Sequence, residues 1–397
     1  MRGSKPGYTG RQKMKTWITL LFSILLTACA TQPSQKISHL QFHDAGFTPP
    51  AKIISAEDVV ALSDEMRSYI KNDINSQLRL KSPQKALFDA LSSKGQIRLE
   101  YDAEITRNAA QAFKARSGNC LSLVLMTAAL AKELGMDVQY QNVLVDESWS
   151  RNNDIYFAAG HVNIVLGHKS AFKGFTQEYS QSMVIDFLPP KDLRGQRTEM
   201  IKEETVIAMY FNNRAAESLA LQQVNDAYWF ARSALMSDPD FTAAYNTLGV
   251  VYRQHGDLAL AENVFRQILD KEAENIMALS NLVEVLRKSE RRAEAQIYMS
   301  RLENLQPYPP FHFFNRGLAA MERGDYAEAK NLFKRELRRD PNYDEFHLWL
   351  ALAHLKLGET RDAVDELTLA KANSTTRKAQ NLYASKLEKI KATYSHN

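Results

Sequence analysis

Residues 242–275 read TAAYNTLGVVYRQHGDLALAENVFRQILDKEAEN, and their internal spacing decides how the carboxyl-terminal half of the chain folds. Gly249 and Ala261 are small, Phe265 is large and apolar, and Gly256-Asp257 interrupts two stretches that otherwise suit helices. Two antiparallel helices pack closely only where small residues sit at their crossing and a larger apolar side chain fills the space beside it. The pattern recurs on both sides. Alanine stands at 227, 261, 295, 329 and 363, each 34 residues after the last. Eight residues into each unit comes Ala215, Gly249, Val283, Gly317 or Ala351, and four residues past each alanine comes Ala231, Phe265, Met299, Phe333 or Leu367. Twelve past it stand Pro239, Ala273, Pro307, Pro341 and Thr375, where proline helps to stop the second helix. Gly256-Asp257, Gly324-Asp325 and Gly358-Glu359 read as the turns between paired helices.

This register resembles the tetratricopeptide repeat, with five units over about 205–375. Residues 377–392, with Leu382, Leu387 and Ile390 on a polar background, read as a terminal helix covering the last unit. The first unit is degenerate, with Phe211 and Ser218 where the next has Tyr245 and Tyr252. The resemblance implies a concave surface that binds peptides or protein segments. Asn212 and Asn246 share one position on the inner helices, and Arg253 and Arg287 share another. They either meet a partner's backbone or carboxylate, or are solvated helix faces.

Upstream the grammar changes. Ser55-Ala56-Glu57-Asp58 opens a helix with a capping-box pattern, and further helices are expected over Pro83–Leu91 and Asp102–Ala115. Gly118-Asn119-Cys120 then leads into an apolar run, Leu121 to Ala131, closed at Gly135. Strands are expected at Val138–Val145, His161–Leu166 and Met183–Phe187, with an irregular polar loop over Asp146–Phe157. A cysteine at a helix amino terminus feels the positive end of the helix dipole, which favours thiolate, and the free N–H groups there can receive an oxyanion. A neighbouring histidine can hold the thiol's proton, and a carboxylate on its other ring nitrogen fixes the tautomer.

Gly118-x-Cys120 before such a helix, then a strand opening on His161, then a strand carrying Asp186, resembles the core of the transglutaminase-like cysteine hydrolases, an α+β, papain-like fold. The resemblance covers about 98–190 and implies Cys120 as nucleophile, His161 as base and Asp186 as its orienting partner. Two positions after His161, where that family often has an aromatic residue, stands Asn163. Taken singly, each residue has a plainer reading: a small buried cysteine, a structural histidine, a strand-end carboxylate. The chain holds only two cysteines, Cys29 and Cys120. If Cys29 is lipidated, Cys120 is an unpaired thiol in an oxidising compartment.

Residues 1–29 hold five cations and no carboxylate, and the short apolar run Trp17–Leu26 then meets Leu26-Thr27-Ala28-Cys29. The run is too short to span a bilayer, which needs roughly 20 residues, and fits a secretory signal. The tetrad resembles a bacterial lipobox, which implies lipidation of Cys29. Ala30, rather than aspartate, implies passage to the outer membrane, facing the periplasm. Met14 is an alternative start. Beyond Cys29 the chain has 45 cations against 46 anions, so no nucleic-acid footprint is expected. The expected domains are a signal peptide over 1–29, a flexible tether over 30–54, a transglutaminase-like domain over 55–195, and five repeats with a capping helix over 205–392. No cofactor is expected. No metal site is expected either, since His39 and His43 lie in the tether and no other His/Cys pair has close ligand spacing. Two functions follow: a tethered peptidase or amidase whose repeats dock protein, or an envelope scaffold that works through its repeats alone.

Overall fold

A computed structural model describes residues 42–50, 53–92, 99–103, 105–152, 155–167, 182–187 and 197–394. The segment assigned to a signal peptide, Cys29 included, lies outside the described residues. The amino-terminal part opens with α1 (Ala56–Val60), where Ser55 Oγ accepts from the Asp58 N–H and Asp58 Oδ2 accepts from the Ser55 N–H, the reciprocal cap expected there. Helices α2 (Asp64–Tyr69) and α3 (Pro83–Ser92) follow, then α4 (Ala109–Ala115) and α5 (Cys120–Glu133). Every residue of α5 from Leu121 to Ala131 is buried, as a helix apolar all round must be. Beside it stands an antiparallel sheet in the order β5 (Met183–Ile185), β4 (Ile155–Gly167), β3 (Asp137–Asn152), β6 (Arg197–Ile201). A two-residue parallel ladder joins β1 (Glu100–Tyr101) to β2 (Ser117–Gly118).

Two local expectations are corrected. The helix expected from Asp102 begins only at Ala109, capped by Asn108. The Asp102 N–H donates to the Gly118 carbonyl, and both main-chain groups of Thr106 are held by side chains from elsewhere, so this stretch cannot close helical turns. The expected polar loop at 146–157 is instead a continuation of β3 and β4, paired from Ser148–Ala159 to Asn152–Ile155 after a register shift beyond Val143.

Strand β6 runs directly into α6 (Glu203–Ala220), so the repeats grow out of the sheet edge. Helices α7 (Val224–Ser237), α8 (Thr242–His255), α9 (Leu258–Lys271), α10 (Ile276–Lys288) and α11 (Arg292–Leu305) pack in succession. They are followed by α12 (His312–Arg323), α13 (Tyr326–Leu337), α14 (Asp344–Lys356), α15 (Thr360–Asn373) and the terminal α16 (Arg377–Tyr394). All five register alanines are buried. A Cβ added to Gly249 would lie 2.5 Å from the Phe265 ring, so the small–large pairing read from the sequence is a physical interlock. One or two positions past the end of each first helix, the chain enters the left-handed region at 222, 256, 290, 324 and 358. Glycine holds three of these positions, while Gln222 (φ 60°) and Glu290 (φ 59°) hold the others.

The helical stack is thin at one place. Helices α11 and α12 make far less contact than any other successive pair, across Gln306-Pro307-Tyr308-Pro309-Pro310-Phe311. Beyond it the packing restarts around Phe311, Phe313, Phe314, Phe333 and Phe346, and buried Glu336 accepts from the Phe313 and Phe314 N–H groups at 2.7 and 3.0 Å. The carboxyl-terminal end then returns to the amino-terminal part: the Ala103 N–H donates to the Thr375 carbonyl at 3.3 Å, and Arg377 pairs with Glu100.

Residues 42–50, expected within a free tether, are packed down on the repeats. Phe47 is 3% exposed and stacks on Tyr228 with ring centroids 3.9 Å apart. Asp44 Oδ1 accepts from Tyr228 Oη (2.7 Å) and Arg232 Nε (3.0 Å), and Trp229 Nε1 donates to the Thr48 carbonyl (2.8 Å). An aromatic residue in a polar segment has an apolar area to bury, and the first repeat supplies the site.

Candidate active site

Cys120 is the first residue of α5. Asn119 caps that helix, its Oδ1 accepting the Ser122 N–H at 2.9 Å. The approach is tight, since a Cβ on Gly118 would lie 2.6 Å from Ser122 Cβ, so only glycine fits before the cap. Cys120 is partly exposed and unpaired.

His161 lies on the central strand β4, buried at 4% exposure. Its Nε2 is 2.8 Å from Asp186 Oδ1, just past the end of β5, while the ring also hydrogen-bonds the Cys120 side chain. With Nε2 on the carboxylate, Nδ1 is the nitrogen left for the thiol. Burial by itself would push the imidazole pKa down. Hydrogen bonds to Asp186 and Cys120, with the charges of both, outweigh it and raise the pKa to about 9. The structure thus sets His161 against the Asp186 carboxylate on one side and close enough to Cys120 for the two to interact on the other.

Two neighbours carried no motif signal. Asn163, one alternation along β4 from His161, donates from Nδ2 to Asp186 Oδ2 at 3.1 Å, so the two carboxylate oxygens are gripped by different side chains. Tyr101, brought in by the β1–β2 ladder, sets its phenol against the Cys120 side chain and backbone N–H. Desolvation around the hydroxyl, and then the negative charge of a Cys120 thiolate, raise the phenol's pKa, so it stays protonated. The alternation His-x-Asn on a strand was the only available hint of Asn163, and a two-residue ladder left none of Tyr101.

The four repeat residues named as candidate partner contacts are placed differently from one another. Asn246 is buried, with Nδ2 3.4 Å from Asn275 Oδ1, and Asn212 is half-buried. Arg253 reaches Asn281 Oδ1 at 3.3 Å, and Arg287 is exposed and paired with Glu284 at 3.1 Å. Among the described residues, His354, Glu359 and Asp362 could offer three ligands to a metal. Lys330 Nζ already sits 2.7 Å from Glu359 Oε1, which makes this set an ion pair between adjacent repeats.

Comparison with known proteins bears on the repeats. The tetratricopeptide repeat family matches residues 314–377. A stretch of 122 residues is 29% identical to the type IV pilus assembly protein PilF of Pseudomonas aeruginosa, covering 30% of this chain and 48% of that protein. The chain therefore spans about half the length of that curated relative. Among solved structures, YrrB, described as a TPR protein with an unusual peptide-binding site, is 24% identical with a TM-score of 0.24, covering 45% of this chain and 92% of that one. The structure of Pseudomonas aeruginosa PilF is 22% identical with a TM-score of 0.27, covering 49% of this chain and 96% of that one. Family match and helix register agree: residues 314–377 match the tetratricopeptide repeat, and paired helices at the same 34-residue spacing run through the carboxyl-terminal half.

Proposed function

We propose that this protein is a cysteine hydrolase of transglutaminase-like type, joined to a repeat solenoid that docks its protein substrate or partner. One observation supports the reading: His161, 2.8 Å from Asp186, interacts with Cys120 at the amino terminus of α5. In the proposed reaction the Cys120 sulfur attacks an amide carbonyl, forming a C–S bond. The C–N bond then breaks as His161 gives its proton to the leaving amine, and water hydrolyses the thioester. The free N–H groups at the amino terminus of α5 receive the developing oxyanion. The proposed domain limits are those expected from the sequence, with 42–50 joined to the repeats. Lipidation at Cys29 and an outer-membrane position facing the periplasm complete the proposal. They rest on the lipobox-like tetrad, and the resemblance to a pilus assembly protein is compatible with a place in the bacterial envelope.

The test is alkylation of Cys120 by iodoacetamide near neutral pH. We expect it to outpace a free cysteine by about tenfold or more, and His161→Ala to remove the advantage. A wild-type rate equal to that of free cysteine sinks the nucleophile.

The comparisons favour a second reading, since they touch only the repeats: an interaction protein whose Cys120 site is structural. It predicts that Cys120→Ala preserves partner capture while Arg253→Glu with Arg287→Glu abolishes it.

A further inference from the structure

Glu217 poses a question that the repeat architecture does not answer. It sits on α6, the first helix of the solenoid, with its carboxyl largely withdrawn from water, and burial raises its pKa. A carboxylate is costly to bury unless it is paired, so its partners indicate what it is for. Its hydrogen-bond donor is not in the repeats. Glu217 Oε1 accepts the Thr106 backbone N–H at 2.7 Å, and Arg214, one turn earlier on α6, donates from Nη1 to the Thr106 carbonyl at 3.2 Å. Arg214 and Glu217 also pair with each other at 3.5 Å. Together they hold both main-chain groups of a single fully buried residue 108 and 111 positions away.

From Thr106 the chain of contacts runs to the nucleophile. Thr106 Oγ1 accepts from Asn119 Nδ2 at 2.8 Å. This fixes the amide's orientation, because the other end, Oδ1, must accept the Ser122 N–H (2.9 Å) and the Ser122 hydroxyl (2.8 Å). Ser122 Oγ in turn accepts the Arg107 N–H at 2.8 Å. Asn119 is the residue before Cys120 and the cap of the helix whose N–H groups face the thiol. A rotated Asn119 would leave that cap unmade.

We propose that Arg214 and Glu217 of the first repeat are positioning residues for Cys120, acting through Thr106 and the Asn119 cap. The inference rests on the nucleophile reading above. It makes the solenoid's first helix part of the scaffold of the reacting site, in addition to any docking role.

The experiment measures iodoacetamide alkylation of Cys120 in the full chain from about pH 5 to about pH 9, with thermal unfolding of each variant alongside. Thr106→Val and Glu217→Ala should slow alkylation at neutral pH by roughly fivefold to tenfold and move its pH midpoint upward, the size expected for losing a helix cap. Thr106→Ser and Glu217→Gln, which keep the hydroxyl and the acceptor oxygen, should stay within about twofold of wild type. A purely structural role would lower the unfolding temperature without moving the midpoint. Should Thr106→Val fail to fold, Arg214→Ala and Glu217→Ala carry the test. Folded variants with a wild-type midpoint overturn the inference while leaving a reactive Cys120 intact. A wild-type Cys120 no faster than free cysteine overturns the nucleophile reading and this inference with it.

Discussion

His161 is where burial and charge compete, and its environment sets a pH dependence. The imidazole's folded pKa of about 9 lies above its ordinary value of 6.5. Its contribution to stability is therefore full below about pH 6.5 and lost as pH rises through about 9, on the order of 3 kcal/mol. Hydrolysis should fall over the same range, as the imidazolium loses the proton it would give to the leaving amine. Asp186→Asn should bring that basic limb down, and a pH–rate profile of the two proteins checks it. Asn163→Ala frees one carboxylate oxygen and should act in the same direction more weakly. Cys120 and Asp186 were legible in the sequence because each stands at the end of an element with a recognisable pattern, and His161 because it precedes an apolar strand run, although the strand itself begins at Ile155. Asn163 was not, since an amide on a strand has no signature until another strand delivers a carboxylate to it.

At the scale of elements, the repeats were legible almost residue by residue, because a period of 34 repeats the same packing constraint five times. Gly249 illustrates it. Gly249→Ala would push a methyl group into the Phe265 ring and should destabilise by about 1–3 kcal/mol, and Gly249→Ala with Phe265→Leu should recover part of the loss. The left-handed positions make the converse prediction. Glu290→Gly removes a strained non-glycine residue at φ 59° and should raise the unfolding temperature by an amount corresponding to roughly 0.5–1 kcal/mol, whereas Gly256→Ala should lower it similarly. The amino-terminal part was less legible. Thr106 and its neighbours look helical in isolation, and only groups from elsewhere in the chain, among them the Gly118 carbonyl, Ser122 Oγ, Arg214 and Glu217, keep them out of a helix. The polar 146–157 stretch hid its pairing for a related reason, because a hairpin whose two faces are not clearly apolar and polar carries little period-two signal.

For the whole molecule, the decisive features are the thin α11–α12 junction and the light contact that brings the last repeat back to β1. The Arg377–Glu100 pair is largely exposed, and exposed pairs contribute little. In about 1 M salt, where screening acts within about 3 Å, the last two repeats should swing away from the strand that carries Tyr101. Small-angle scattering should then show a larger radius of gyration, and amide exchange at Ala103 should quicken. Unfolding should also lose its single-transition character, with α12–α16 melting apart from the rest. The docked segment at the other end behaves differently. Phe47, Asp44 and Thr48 fasten the chain to Tyr228, Trp229 and Arg232 before it enters the amino-terminal helices. A pull applied upstream of Phe42 therefore loads the first repeat in shear, and the sheet holding His161 feels no tension until that aromatic fastening has torn.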